Sequence, residues 1–259
     1  MDIAAQRELA RLLAALRRDG RQQSGLAPHL VPPDKATAYR VAALVAEELG
    51  WAVGGWKIAA FKDEMQQALR TDSPIYGRTF FVKETPVAIV HAKLASPIPE
   101  VEYQAKLGVD LPPRAKPYGQ EEVTEAVVSL HPGLELAECR FIHDAAFPPL
   151  PAILADGAGS GTIVYGPAIE DWKTRDIASQ EASLSSDGRL RRKGSAAAAL
   201  DHPVVPLTWL ANELSRTGIG LKAGQMVSTG TLTGMLAPKP GETYVADFGP
   251  FGSVTVSFS

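Results

Sequence analysis

A change of periodicity near residue 79 constrains this chain most. Before it, apolar residues recur at helical spacing; after it, short strand-like runs are punctuated by Gly and Pro. Leu9, Leu12, Leu13 and Leu16 share one helical face, and Gly20 supplies a stop. A polar stretch, Arg21 to Gly25, leads to Pro32-Pro33. Asp34 is the expected N-cap of a second helix carrying Tyr39, Val41, Leu44, Val45 and Leu49, which Gly50 ends. A strand is expected near Ala52 to Ala60, then a short helix from Asp63 to Leu69. Farther on, the pattern predicts strands at Pro86–Val90, Ile98–Leu107, Leu134–Phe141 and Ile177–Leu184, with helices at Glu121–Leu130 and Pro203–Leu214. Asp187-Gly188 marks a hairpin. Met226–Ser228, Thr243–Phe248 and Ser253–Phe258 are closing strands. The sum is an α+β fold: a helical N-terminal portion, residues 1–78, and a β-rich domain, residues 79–259.

The chain has 259 residues, 45% hydrophobic and 21% charged, enough for a sizeable core. A net charge of −3 and a pI near 6.0 argue against a nucleic-acid or anionic-membrane surface. No apolar run approaches the ~20 residues of a spanning helix. The acidic, early-charged start is unlike a signal peptide. One cysteine, Cys139, excludes an intramolecular disulfide and fits a reducing cytoplasm, where the protein is expected. Amid apolar strand-like residues, Cys139 is expected in the core.

Three glutamates lie inside strand-like runs: Glu100 and Glu102 in Pro99-Glu100-Val101-Glu102-Tyr103, and Glu135 in Gly133-Leu134-Glu135-Leu136-Ala137. Strand side chains alternate faces, so Glu100 and Glu102 project together. Two carboxylates on one face repel unless something positive stands between them. A hard divalent cation answers this; Mg²⁺ takes a few carboxylates and completes its octahedron with water and substrate oxygens. A lone E-x-E also occurs on solvated strand edges, where acidic residues discourage edge pairing. Parity sets Glu135 with Ala137, and Glu138 with Arg140 on the other face, so Glu138 is expected to pair with Arg140 or Arg191.

Lys57 stands between Trp56 and Ile58, away from any charge run. A buried lysine needs a partner, and near a metal it can serve as a general acid/base or stabilise an enolate; the alternative is a snorkelling strand-end lysine. Asp156-Gly157-Ala158-Gly159-Ser160-Gly161 lacks the Lys-Ser/Thr ending of a P-loop, and close backbone approach at a site wall suits it better. Ser228-Thr229-Gly230-Thr231-Leu232-Thr233-Gly234 is a polar turn whose N–H groups and hydroxyls could hold a substrate carboxylate. The five histidines show no zinc-ligand spacing, and His202 is expected in a helix-cap region. Neither a serine elbow nor a dinucleotide fingerprint is present.

In order along the chain, Gly55-Trp56-Lys57-Ile58, Pro74-Ile75-Tyr76-Gly77, Glu100-Val101-Glu102, Asp110-Leu111-Pro112, Leu134-Glu135-Leu136 with Arg140, Ala155-Asp156, His202-Pro203, Trp209-Leu210-Ala211-Asn212 and Gly230-Thr231-Leu232-Thr233 resemble the 2-keto-4-pentenoate hydratase and 4-oxalocrotonate decarboxylase family, within the fumarylacetoacetate hydrolase superfamily. The resemblance spans roughly residues 40 to 258. It implies the superfamily's mixed β-roll and a divalent metal, Mg²⁺ or else Mn²⁺, on Glu100, Glu102 and Glu135. It implies a catalytic Lys57, substrate contacts at Gly230, Thr231, Asp156 and Ile75, and homo-oligomers or hydratase–decarboxylase complexes.

The activity implied is addition of water to a 2-hydroxy-2,4-dienoate in aromatic catabolism. The alternatives are decarboxylation of a 2-oxo-dienedioate, C–C bond hydrolysis, and a non-catalytic scaffold. Hydratases of the family typically carry Thr and Ser where this chain has Phe61-Lys62, and Asp where it has Ile75. They also differ at Gly157, usually Asn, and at Gln104, usually small and apolar. Pro74-Ile75-Tyr76-Gly77 is closer to the decarboxylase branch, and Lys62 is a candidate second cation for a dicarboxylate.

Overall fold

The computed structural model describes residues 1–259. Its N-terminal helices are α1 (Ile3–Asp19), α2 (Lys35–Leu49) and α3 (Asp63–Leu69). Asp2 and Asp34 cap α1 and α2 through their side chains, and Gly20 and Gly50 end them in the left-handed conformation that glycine adopts without strain. The strands are β1 (Gly55–Ala59), β2 (Ile75–Thr79), β3 (Phe81–Glu84), β4 (Val87–Ile89), β5 (Ile98–Leu107), β6 (Val127–Ala137), β7 (Thr162–Tyr165), β8 (Ala182–Ser186), β9 (Arg189–Gly194), β10 (Met226–Ser228), β11 (Thr243–Asp247) and β12 (Ser253–Phe258). Helices α4 (Gln120–Ala126), α5 (Leu150–Ala155), α6 (Ala196–Ala199) and α7 (Val204–Arg216) lie between them. No helix is long and apolar enough to cross a membrane.

Two mixed sheets form. One has seven strands in the order β2-β1-β10-β5-β6-β7-β3; the other has five, β4-β12-β11-β8-β9. The long β5–β6 antiparallel pair is the spine of the first, and β1 pairs parallel with β10 beside it. Pairing of β1 and β2 into this sheet ties residues 55–79 to the β-rich portion, so the sheet runs across residue 78.

Alternation along β5 separates two environments. Val101, Tyr103, Ala105 and Leu107 enter a core shared with Tyr244, Phe248 and Val254 of the second sheet, where Tyr103 meets Phe248 edge-on and its hydroxyl donates to the Ile177 carbonyl. Glu100, Glu102 and Gln104 fall on the opposite face. A second core gathers Leu9 and Leu13 of α1, Val41 and Val45 of α2, and Ala152 and Leu154 of α5. The site lies between this helical layer and the polar face of β5 and β6.

Some expectations are corrected. The helix expected at Glu121–Leu130 stops at Ala126, because β-branched Val127 and Val128 begin β6, where Val127, Ser129 and Leu130 pair against β5 around a bulge. The strand expected at Leu134–Phe141 is the end of β6, which stops at Ala137. Of Ile177–Leu184 only Ala182 onward is strand, the residues before it forming a turn. The Asp187-Gly188 hairpin joins β8 and β9 as expected.

Candidate active site

Register brings the three glutamates together. Glu100 on β5 is directly opposite Glu135 on β6, and Glu102 lies two residues along on the same face. Their carboxylate oxygens come within 4.8 Å of one another. All are buried: Glu100 is 7% exposed, Glu102 1% and Glu135 0%. Lys57, also buried, sits on β1 and faces the same side, its Nζ 3.6 Å from Glu135 Oε2. Parity explains its position, since neighbouring Trp56 and Ile58 enter the opposite core.

The oxygens are not equivalent. Glu102 Oε2 accepts from Ser228 Oγ at 2.7 Å and from the Gly230 N–H at 2.7 Å. Gln104 Nε2 donates to Ser228 Oγ at 2.9 Å, completing a chain Gln104–Ser228–Glu102. Gly133 makes room for it: a Cβ there would stand 2.2 Å from Gln104 Cγ. Both oxygens of Glu135 are buried without a hydrogen bond. Buried carboxylates normally have such partners, and a divalent cation held by the triad would supply one, so the residues present fit such an ion.

Electrostatics agree. Burial raises the Glu135 pKa to about 7 against the pull of Lys57. Burial, then Glu135 and Glu100, hold Glu102 well above the usual carboxylate range, and burial raises Glu100. On Lys57 burial opposes the charge, but Glu135, Glu100 and Glu102 outweigh it and raise the pKa. With all four ionised, the group carries two net negative charges, which a divalent cation cancels. The donor set is all oxygen, the chemistry of a hard cation such as Mg²⁺ or Mn²⁺.

Above the triad opens a cavity of about 730 Å³, lined by Lys57, Glu100, Glu102, Gly230 and Thr231 among others. Ile75, expected at the substrate, is on its wall. Gly230 is also there, and its N–H donates to Glu102 Oε2. Thr231 Oγ1 has only a long 3.4 Å contact with the Gly234 carbonyl, leaving the hydroxyl free to turn.

Asp156 is placed elsewhere. It is buried, and its carboxylate accepts from Arg140 Nε at 2.7 Å and from the Arg140 N–H at 3.0 Å. Arg17 of α1 joins this group by donating to the Asp156 and Ser160 carbonyls, and burial, then Arg140, lower its pKa to about 10. Asp156 therefore anchors the glycine-rich run. That run does make the expected close approach: the Gly157 carbonyl is where a Cβ on Gly77 would be, 1.8 Å away, and Ala158 and Gly159 reach the cavity wall.

Glu138 pairs with Arg140 at 3.8 Å, as expected, and also accepts from the Ala95 N–H. Cys139 is a half-buried cavity-wall residue, not core; burial, then Asp156, push its thiol to about 11, which leaves it a poor nucleophile. His202 Nδ1 accepts from the Val204 N–H at the start of α7, the expected cap role. Ser228, the first hydroxyl of the polar turn expected to meet a substrate carboxylate, donates to Glu102 at the end of β10.

Residues 57–258 match the fumarylacetoacetate (FAA) hydrolase C-terminal family. The chain belongs to this family. Among curated relatives of this fumarylacetoacetate hydrolase family protein, the 2-keto-4-pentenoate hydratase of Paraburkholderia xenovorans (strain LB400) is 32% identical over 216 residues, 81% of this chain and 77% of the relative. The 2-hydroxyhexa-2,4-dienoate hydratase of Comamonas testosteroni is 27% identical over 217 residues, 82% of this chain and 81% of the relative. In fold, the family member resembles the 4-oxalocrotonate decarboxylase from Pseudomonas putida G7 complexed with magnesium and adipate. The TM-score is 0.90 at 21% identity, over 100% of this chain and 99% of that one. The FAA hydrolase-type α+β fold, with mixed sheets, is thus established for this chain.

Proposed function

We propose that this chain is a Mg²⁺-dependent hydro-lyase that adds water to a 2-hydroxy-2,4-dienoate, giving a 4-hydroxy-2-oxo acid. The observation that carries the proposal is the buried Glu100–Glu102–Glu135 triad, with Lys57 Nζ 3.6 Å from a carboxylate oxygen that has no hydrogen bond. The hydratase names of its relatives support the reaction class.

Glu100, Glu102 and Glu135 would hold the cation. When bound it supplies Lewis acidity toward a substrate carboxylate and its 2-oxygen. Ser228 and Gly230 fix Glu102 so that one oxygen is spent on the protein and the other is left for ligation. Lys57, whose charge the carboxylates favour, enters as an ammonium. It gives a proton from Nζ to C5 of the dienol while the 2-hydroxyl proton passes to solvent, leaving an enone and a neutral Nζ. Nζ then takes a proton from water as that oxygen adds to C4, and the enolate so formed takes a proton at C3 from solvent, giving the 4-hydroxy-2-oxo acid. The Thr231 hydroxyl would bind the substrate carboxylate and Ile75 would contact the rest of the substrate; both residues line the cavity, which supports this reading.

Decarboxylation of a 2-oxo-dienedioate is the second possibility, favoured by Ile75 in place of the hydratase aspartate. Self-association belongs to the same proposal through the family resemblance. Turnover of 2-hydroxypenta-2,4-dienoate and of 2-oxohex-3-enedioate, each with and without Mg²⁺, is followed by ultraviolet absorbance and CO₂ release. Mg²⁺-dependent loss of the dienoate without CO₂ is expected. CO₂ from the dicarboxylate would transfer the assignment to a carboxy-lyase.

A further inference from the structure

We infer that the outer part of the cavity binds an apolar extension at the far end of the substrate. The ligands of this site are then 2-oxo or 2-hydroxydienoic acids with a hydrocarbon tail, not a second carboxylate. This rests on the proposed placement of the 2-oxo acid head at the triad.

The first argument is size. A cavity of about 730 Å³ is far larger than a five-carbon dienoate needs; volumes of roughly 300–1,000 Å³ enclose drug-sized ligands. Glu100, Glu102, Lys57 and Thr231 line it together with Glu138, Lys62 and Arg70, but 17 of the 28 lining residues are hydrophobic.

The second is an apolar stripe at the cavity, of which Leu69 alone packs in part against the helical core. Helix α3 buries none of its residues in the fold. Its Met65, Ala68 and Leu69, at i, i+3 and i+4, share one helical face, and all three line the cavity. From other segments Phe147 and Met235 join the lining; Met65, Phe147 and Met235 are 41%, 36% and 58% exposed. Large apolar side chains exposed around one concavity mark a binding surface for apolar matter.

The third is electrostatic. Lys62, the cation a second carboxylate would use, faces Asp201 at 3.4 Å. Arg70, at the far end of α3, is exposed and also borders a separate surface groove, so it stays hydrated at the rim. Ile75 and Phe61, also in the lining, offer no charge to a second carboxylate, whose desolvation would go uncompensated beside them.

The test is calorimetric binding of three saturated, unreactive probes to the full-length protein in Mg²⁺: 2-oxopentanoate, 2-oxooctanoate and 2-oxoheptanedioate. Each buried methylene should tighten binding about fourfold, so 2-oxooctanoate should bind roughly fiftyfold tighter than 2-oxopentanoate. The diacid should gain nothing over 2-oxopentanoate. Met65→Glu should cut the octanoate-to-pentanoate affinity ratio at least fivefold; the ratio cancels any general loss of folded protein. Equal affinity for the two monoacids, tighter binding of the diacid, or an unchanged ratio in the variant would each overturn the inference. None of these results depends on turnover. If 2-oxooctanoate wins while 2-hydroxypenta-2,4-dienoate is not hydrated, the tail site stands and the hydratase proposal alone fails.

Discussion

Ser228 Oγ donates to Glu102 Oε2 at 2.7 Å, fixing which oxygen of that carboxylate remains for a cation. Gln104 in turn fixes Ser228 through its Nε2 at 2.9 Å. Groups that orient a ligand typically matter by about 10–100-fold in metal affinity. Ser228→Ala should therefore weaken Mg²⁺ binding on the order of tenfold, and Gln104→Ala somewhat less. Calorimetric titration of Mg²⁺ checks this. Unchanged affinity in both variants would mean that the chain of hydrogen bonds only fills space.

Glu135 has no hydrogen bond on either oxygen, and its surroundings favour the neutral form. Glu135→Gln should stabilise the metal-free protein at pH 8 by on the order of 1–3 kcal/mol, as a carboxylate whose desolvation outweighs the pull of Lys57 is replaced by a neutral amide. The same change should abolish the rise in Tm that Mg²⁺ gives the wild type. Thermal denaturation in EDTA and in Mg²⁺ measures both effects; a Tm of the variant in EDTA below that of the wild type would contradict the first.

The pH dependence follows with a definite sign. The folded pKa of Glu135 lies near 7, above its unfolded value near 4.5. Its contribution to stability is thus full below about pH 4.5 and is lost as pH rises through about 7. Lys57, also raised, acts with the same sign but only in the alkaline range. Buried His131 and half-buried His202 have lowered pKa values; their neutral-form stabilisation is present above about 6.5 and is lost on acidification. Subtracting the Glu135→Gln curve removes the histidines. In EDTA the wild type should fall progressively below the variant between pH 5 and 8. A constant difference would place the Glu135 titration outside this window.

Arg140 is buried against Asp156 and Glu138 and holds the glycine-rich run beside Gly77. Removing one partner of a buried pair leaves the other uncompensated, at about 3–5 kcal/mol. Arg140→Met should lower urea-derived stability by that amount. A loss below about 1 kcal/mol would show that Asp156 finds a sufficient partner in Arg17.

Much of this could be read from residue order. Asp34 and Gly50 bound α2 because an N-cap carboxylate and a left-handed glycine are local devices. Alternation along Ile98–Leu107 placed Glu100 and Glu102 on one face because strand parity needs no tertiary knowledge. What failed was decided at long range. Val127–Leu130 became strand through pairing with β5, against its local helical spacing. Asp156 went to Arg140 and Arg17, residues 16 and 139 positions away. The Ser228–Glu102 bond joins residues 126 apart. The cavity wall formed by Met65, Phe147 and Met235 comes from three segments with no shared pattern.

The most direct measurement is the stoichiometry of Mn²⁺ binding, read by electron paramagnetic resonance, in the wild type and in Glu102→Gln. One ion per wild-type chain, and none in a variant of unchanged circular dichroism, is the result expected of a Glu100–Glu102–Glu135 site. No ion in the wild type, or full binding in Glu102→Gln, would contradict it.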